Sequence, residues 1–152
     1  MKKAIFYIPF LSMIVGCAHQ NGASNIEFID PDKLLKIPMF HQVAVASGTS
    51  TIHIAGQTAM DEQMNIVGEG DFKAQAAKVW GNVATALDAA GASMDSIVSS
   101  HVFVVDLKPE LIPQIMEVMG NNAVPPHAYS IIGVEALARP ELLIEISVVA
   151  VK

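Results

Sequence analysis

Two stretches of the chain repeat apolar residues with the period of a helix. Between Asp71 and Gly91 the apolar positions are three or four residues apart, which places them on one helix face. An Asp at the N-cap and a Gly in the left-handed conformation are typical helix ends, so a helix is predicted from Asp71 to Gly91. A second helix is predicted over residues 110–119, where Pro113 is tolerated only in the first turn.

Five further segments have the composition of strands. Residues 43–46 and 51–55 are short apolar or alternating runs joined by Ser47-Gly48-Thr49-Ser50, which predicts a hairpin. The remaining three segments, rich in β-branched residues, are 97–105, 127–134 and 142–151. A short strand over 64–67 is also compatible with the sequence.

This order of elements predicts the fold class. Two strands, a helix, a strand, a second helix and two strands suit an α/β (α+β) fold with a mixed sheet and both helices on one face. Apolar residues occupy both faces of strand 97–105, so the sheet face away from the helices needs cover as well. In a chain this short, another subunit is the simplest cover, and we expect an oligomer.

The first residues differ from the rest. Lys2 and Lys3 precede an apolar run over 4–15, which is shorter than the roughly 20 residues of a spanning helix and fits a removable signal. The run ends in Ile14-Val15-Gly16-Cys17, which resembles the lipobox of bacterial lipoproteins. We therefore expect export, lipidation of Cys17 and a membrane anchor, most simply on the outer membrane facing the periplasm. The alternative is an ordinary signal peptide with a chance cysteine.

Removal of this signal peptide changes the charge of the chain. Loss of 16 of the 152 residues leaves 136 and removes two lysines but no acid, so the net charge goes from −6 to −8. An acidic body argues against nucleic acid as a partner. The expected organisation is a signal peptide at 1–16, a lipidated N-terminus and tether at 17–37, and one domain at 38–152.

Glu145 is the most informative candidate for chemistry, because it interrupts the apolar strand 142–151. A buried carboxylate without a partner is costly, so Glu145 should be paired, exposed or placed at a cleft. It could point to solvent from an edge strand. It could instead orient or activate water at a cleft between subunits.

Other candidates are polar residues at the ends of elements. Gly56-Gln57 ends a strand, and Asn82 lies inside the first helix, where it could cap a neighbouring strand or face a pocket. His127 begins a strand after two prolines and could act as an acid, a base or a ligand anchor. No two histidines have metal-ligand spacing, and the single cysteine is assigned to lipidation, so neither a metal site nor a thiol nucleophile is expected.

Several of these features occur together in a recognisable order. They are Phe40-His41-Gln42, Ile54-Ala55-Gly56-Gln57-Thr58, Asn82 before the run 86–92, Ile97-Val98, the run 101–107, and the terminal Leu143-Ile144-Glu145-Ile146-Ser147-Val148-Val149-Ala150. This ordered set resembles the Rid (RidA/YjgF) family, the reactive-intermediate deaminases, over roughly residues 38–152.

The resemblance implies a chorismate-mutase-like fold, a homotrimer and ligand clefts between subunits. It further implies cofactor-free hydrolysis of 2-imino acids, such as 2-iminobutanoate and 2-iminopropanoate, to 2-keto acids and ammonia. Glu145 would position water, whereas Phe40, Gly56 and Gln57 would shape the cleft. Asn82 and Tyr129 are counted with the substrate-binding residues.

The sequence departs from the family at two of these positions. His127 stands where the imine hydrolases carry an arginine that grips the substrate carboxylate, and Phe40 lacks the hydroxyl of a tyrosine. Arginine is always charged and binds carboxylates through two parallel hydrogen bonds, which histidine does not. Two functions therefore stay open: an imine or enamine hydrolase using Glu145 and His127, or a lipid-anchored trimer that binds a small metabolite without turnover. Ribonuclease action is a weaker third alternative, because the acidic body opposes it.

Overall fold

The computed structural model describes residues 25–32, 41 and 43–152 of the chain. In the described residues, six strands and two helices follow one another, with a single 3₁₀ turn (Met94–Ser96) before the fourth strand. They are β1 (Asn25–Ile29), β2 (Val43–Ser47), β3 (Thr51–Thr58), α1 (Phe72–Ala89), β4 (Ile97–Val105), α2 (Leu111–Asn121), β5 (Ala128–Val134) and β6 (Ile144–Val151).

The main sheet is mixed, as the sequence predicts. Its strand order is β3-β6-β4-β5, in which β4 and β5 are parallel and β6 is antiparallel to both β3 and β4. Helix α2 connects the two parallel strands, because such strands need a crossover rather than a tight turn. β6 therefore lies in the interior of the sheet, and residues on it have neighbours on both sides.

Alternation along β6 separates the two faces of this sheet. Ile144, Ile146, Val148 and Ala150 are buried in the core that the helices cover. The residues between them, including Glu145, are half-buried on the opposite face, which we call the open face. The helices cover one face only, and the predicted two-layer α+β fold is confirmed.

Helix α1 begins and ends where the sequence predicts. The Asp71 carboxylate accepts a hydrogen bond from the Ala74 N–H, and Gly91 follows the C-cap with a φ of +68°. Val79, Val83 and Leu87 bury the predicted apolar face against the sheet. Helix α2 is also confirmed, with Pro113 in its first turn, where no backbone N–H is needed.

Three expectations about the N-terminal half are wrong or incomplete. β2 pairs with β1 and not with β3, so no β2–β3 hairpin forms; β3 pairs with β6. β1 falls in the segment that we expected to be tether, and its residues Ile26 and Phe28 alternate with polar Asn25 and Glu27. The segment 64–67 forms a single bridge, from Ile66 to Met60, rather than a strand.

The expected signal peptide and Cys17 lie outside the described residues. Within the described ranges, no helix is both long and apolar enough to cross a membrane.

Candidate functional site

Glu145 lies on the open face near one edge of the main sheet. It pairs with Phe103 of β4 on one side and with Thr58 of β3 on the other. Within the part of the chain that the structure describes, no hydrogen bond or ion pair occupies its carboxylate. A half-buried carboxylate to which no described group is bonded can accept hydrogen bonds from a ligand or from water.

Gly56 makes room for this carboxylate. A Cβ on Gly56 would overlap the carboxylate oxygen of Glu145 and lie 2.7 Å from its carboxyl carbon. The register between β3 and β6 shifts between Ile54 and Gln57, so Gly56 lies in a bulge at the sheet edge. Only glycine permits this close approach, and Gly56 and Glu145 therefore form one structural unit.

Gln57 and Asn82 hold the end of β3 next to this unit. The Asn82 amide donates to the carbonyls of Thr58 and Met60 at 2.9 and 3.0 Å, and Gln57 Nε2 donates to the Ala55 carbonyl at 3.1 Å. Asn82 therefore caps the strand, one of its two expected roles. It also lines a groove of about 580 Å³ between β3 and α1, together with Gly56 and Gln57.

His127 lies on the other side of the sheet, buried among the core residues. Its Nδ1 donates to the Pro125 carbonyl at 2.8 Å, and its Nε2 lies 2.7 Å from the hydroxyl of buried Ser100. Because a carbonyl only accepts, Nδ1 carries the hydrogen and Nε2 accepts from Ser100. Burial lowers the pKa of His127, which keeps the imidazole neutral.

Tyr129 shares this buried side with His127. Its hydroxyl donates to Met116 Sδ of α2 at 3.5 Å, its ring lies 5.3 Å from the imidazole, and burial raises its pKa. Within one chain the structure therefore brings Gly56, Gln57 and Asn82 to one edge, with Glu145 against Gly56. It places His127 and Tyr129 on the other face.

Phe40 is the remaining expected residue of the cleft, and Arg139 is considered with it because the chain has no other arginine. Phe40 lies outside the described residues. Arg139, the only arginine of the chain, donates to the Glu141 carboxylate and the Met64 carbonyl and so fixes a loop. No group of three or more His, Cys, Asp or Glu side chains that could hold a metal ion occurs among the described residues.

One polar arrangement was not anticipated from the sequence. His41 Nδ1 lies 2.9 Å from Asp30 Oδ2, and its ring stacks on Phe28 with centroids 4.5 Å apart and an interplanar angle of 11°. His41 also lines a cavity of about 220 Å³ at the start of β5. Asp30 is eleven residues before His41, a spacing that matches no motif, so the sequence carries no signal for this pair.

Comparison with known proteins identifies the family. The model of the family described as Endoribonuclease L-PSP matches residues 33–152. A solved structure of the Rid family protein YyfB from Yersinia pestis is 34% identical and covers 84% of this chain and 99% of that chain, with a TM-score of 0.79. The chain belongs to the Rid family.

Two further solved structures are similar to this chain. RidA from an Antarctic Psychrobacter species is 28% identical, covers 83% of this chain and 99% of that chain, and has a TM-score of 0.61. Escherichia coli TdcF, solved with bound serine, is 27% identical, covers 68% of this chain and 81% of that chain, and has a TM-score of 0.59.

A curated relative matches over a shorter range. A RutC family protein from Synechocystis is 36% identical over 69 residues, which is 45% of this chain. The match spans about half the length of that relative.

Proposed function

We propose that this Rid family protein hydrolyses small imines or enamines to carbonyl compounds and ammonia without a cofactor. The observation that carries the proposal is the Glu145 carboxylate held against Gly56 on the open face, with no partner among the described residues. A positioned carboxylate of this kind serves as a general base toward water.

The proposed reaction consists of the addition of water to the imine, proton transfers and the loss of ammonia. Glu145 takes a proton from a water molecule as the water oxygen forms a bond to the imine carbon, and the π electrons move to nitrogen. The nitrogen then gains the proton held by Glu145 and a second proton from the new hydroxyl group. The carbon–nitrogen bond breaks, and ammonia leaves as that oxygen forms the carbonyl group. No electron is gained or lost overall, so the reaction requires neither an oxidant nor a reductant.

The serine bound in TdcF supports the proposed size of the ligand. That structure is 27% identical to this chain, and serine is a small molecule that carries an amine. We propose that this chain accepts ligands of similar size in a cleft between the subunits of a homotrimer. The open face of the sheet, with the half-buried residues Phe103, Glu145 and Val149, is the surface we assign to subunit contacts.

Binding without turnover is the second candidate, and one observation favours it. His127, at the position where the family's imine hydrolases carry arginine, has both ring nitrogens bonded and a lowered pKa. A neutral, engaged imidazole cannot grip a carboxylate as a guanidinium does. A lipid-anchored protein with this site would capture a metabolite in the cell envelope and release it unchanged.

A coupled assay separates these two candidates. An amino-acid oxidase generates 2-iminopropanoate in situ, and a flavin-dependent amine oxidase generates the imine of n-butylamine, which has no carboxylate. Release of the carbonyl product faster than spontaneous hydrolysis, for either imine, supports the hydrolase. Spontaneous rates for both imines contradict it and leave the binding function.

The proposed location rests on Cys17, which the sequence places at the end of the apolar run. Mass spectrometry of the membrane-extracted protein tests it. A chain that begins at Cys17 and carries diacylglycerol and acyl groups supports the lipoprotein assignment, and an unmodified Cys17 contradicts it.

A further inference from the structure

His41 and His127 differ in how many of their ring nitrogens are hydrogen-bonded within the described residues. Both nitrogens of His127 are occupied, by Ser100 and by the Pro125 carbonyl. His41 uses only Nδ1, toward Asp30, and no hydrogen bond to its Nε2 occurs within the described residues. Because a carboxylate accepts the Nδ1 hydrogen, the neutral imidazole presents Nε2 as a hydrogen-bond acceptor.

The His41 ring is held by two contacts, and the His41 backbone by a third. Asp30 fixes the ring through Nδ1, and Phe28 stacks on its face. The backbone N–H of His41 donates to the His127 carbonyl at 3.3 Å, which ties this segment to the start of β5. A ring that is fixed in this way binds a ligand without first losing much conformational freedom.

The cavity beside His41 is small and polar. Ser99, His101 and Ser130 contribute hydroxyl groups and a second imidazole to its wall, and the cavity volume is about 220 Å³. None of the described residues that line it is Lys or Arg. Asp30 bonds to His41 Nδ1 behind this wall, and its carboxylate favours a cation over an anion in the cavity.

We propose that this cavity binds the protonated nitrogen of a small amine or imine, with His41 Nε2 accepting the N–H hydrogen and Asp30 balancing the charge. This inference rests on the proposed function. It narrows the substrates to imines that the protein recognises through their nitrogen, and it requires no carboxylate on the substrate. Residue 41 follows Phe40 and contacts His127, two positions assigned to the cleft.

The first test uses two stable probes of equal chain length. The full-length protein is titrated with n-butylammonium and with butyrate, and the histidine side chains are followed by long-range ¹H–¹⁵N NMR. We expect n-butylammonium to shift the His41 Nε2 signal and to bind at least about tenfold more tightly than butyrate. The reason is that the charged ammonium group donates a charge-assisted hydrogen bond to His41 Nε2. Equal or tighter binding of butyrate overturns the inference, as does the absence of n-butylammonium binding.

The second test uses variants and a control. His41→Gln and Asp30→Asn should weaken n-butylammonium binding by about tenfold or more, because each removes one member of the pair. Asp88→Asn at an exposed position of α1 should leave it within about twofold. Binding that His41→Gln leaves unchanged overturns the inference.

Failure of the inference and failure of the proposed function give different results. If the wild type accelerates imine hydrolysis but His41→Gln matches Asp88→Asn in both binding and rate, the inference is wrong and the hydrolase stands. If the wild type accelerates the hydrolysis of neither imine but binds n-butylammonium through His41, the proposed hydrolase function is wrong and the inferred binding at this cavity is supported. Circular dichroism of each variant establishes that it is folded before binding is compared.

Discussion

Gly56 and Glu145 fit so closely that any side chain at position 56 would displace the Glu145 carboxylate. A Cβ there would lie 2.7 Å from the carboxyl carbon and 3.0 Å from Cγ of Glu145. Gly56 belongs to β3 and Glu145 to β6, and the bulge in β3 brings them together. The pair therefore fixes where the carboxylate lies on the open face.

Gly56→Ala should reduce imine turnover or ligand binding by more than it reduces stability. The new methyl group pushes away the end of a flexible side chain, which moves at low cost but leaves its productive position. We expect a loss of about 10²-fold in kcat/KM, because small displacements of catalytic groups have effects of this size. Steady-state kinetics on the wild type and variant measure it.

Gly81→Ala is the matched control for that substitution. Gly81 lies in α1, and no atom lies within 4 Å of a Cβ built there. Alanine in a helix interior is favoured over glycine, so stability should rise by about 0.5–1 kcal/mol with turnover unchanged. Equal loss of turnover in both variants would show that the Gly56 effect is not local to Glu145.

Asn82→Asp should loosen the end of β3. The substitution removes both amide hydrogen bonds and sets a carboxylate against the carbonyls of Thr58 and Met60. We expect a loss of about 1–3 kcal/mol in the free energy of unfolding, measured by urea denaturation. Asn121→Asp, at an exposed position at the end of α2, is the control. A loss in the Asn121 variant as large as in the Asn82 variant would argue against the strand-cap role.

His127 should make the protein less stable in acid. Its pKa is lowered from 6.5 by burial, so the unfolded chain binds this proton more readily than the folded chain. The neutral His127 side chain therefore makes its full contribution to the free energy of unfolding above about pH 6.5. This contribution falls as the pH drops below that value and levels off below the lowered pKa. Urea denaturation between pH 5 and 8, on the wild type and on His127→Gln, measures this dependence. The same slope in both proteins below about pH 6.5 would rule out His127 as its source.

Most of the fold follows from local patterns in the sequence. The Asp71 cap, the apolar period of α1 and the left-handed Gly91 together predict α1 almost to the residue. Strand pairing is less predictable, because it depends on contacts between distant segments. The loop between β2 and β3 has turn composition, yet Thr49 and Ser50 bond to the Lys152 carbonyl at the end of β6 and separate the two strands.

The candidate site was predicted only in part for the same reason. Glu145 stands out in the sequence because it interrupts an apolar strand, and the bulge that brings Gly56 against it is not visible there. His127 follows two prolines and begins a strand, a context that does not indicate whether its ring nitrogens are available, and the structure buries it against Ser100. The Asp30–His41 pair depends on the pairing of β1 with β2, which no local pattern indicates.

The most direct test of the account compares imine hydrolysis by the wild type with that by Glu145→Gln. Glutamine keeps the size of the side chain but cannot take a proton from water, so kcat should fall by about 10²- to 10⁴-fold. Glu135→Gln, at an exposed position after β5, should match the wild type, and the assembly state of all three by sedimentation should be the same. A Glu145→Gln protein that is correctly assembled and hydrolyses imines at the wild-type rate would contradict the assignment.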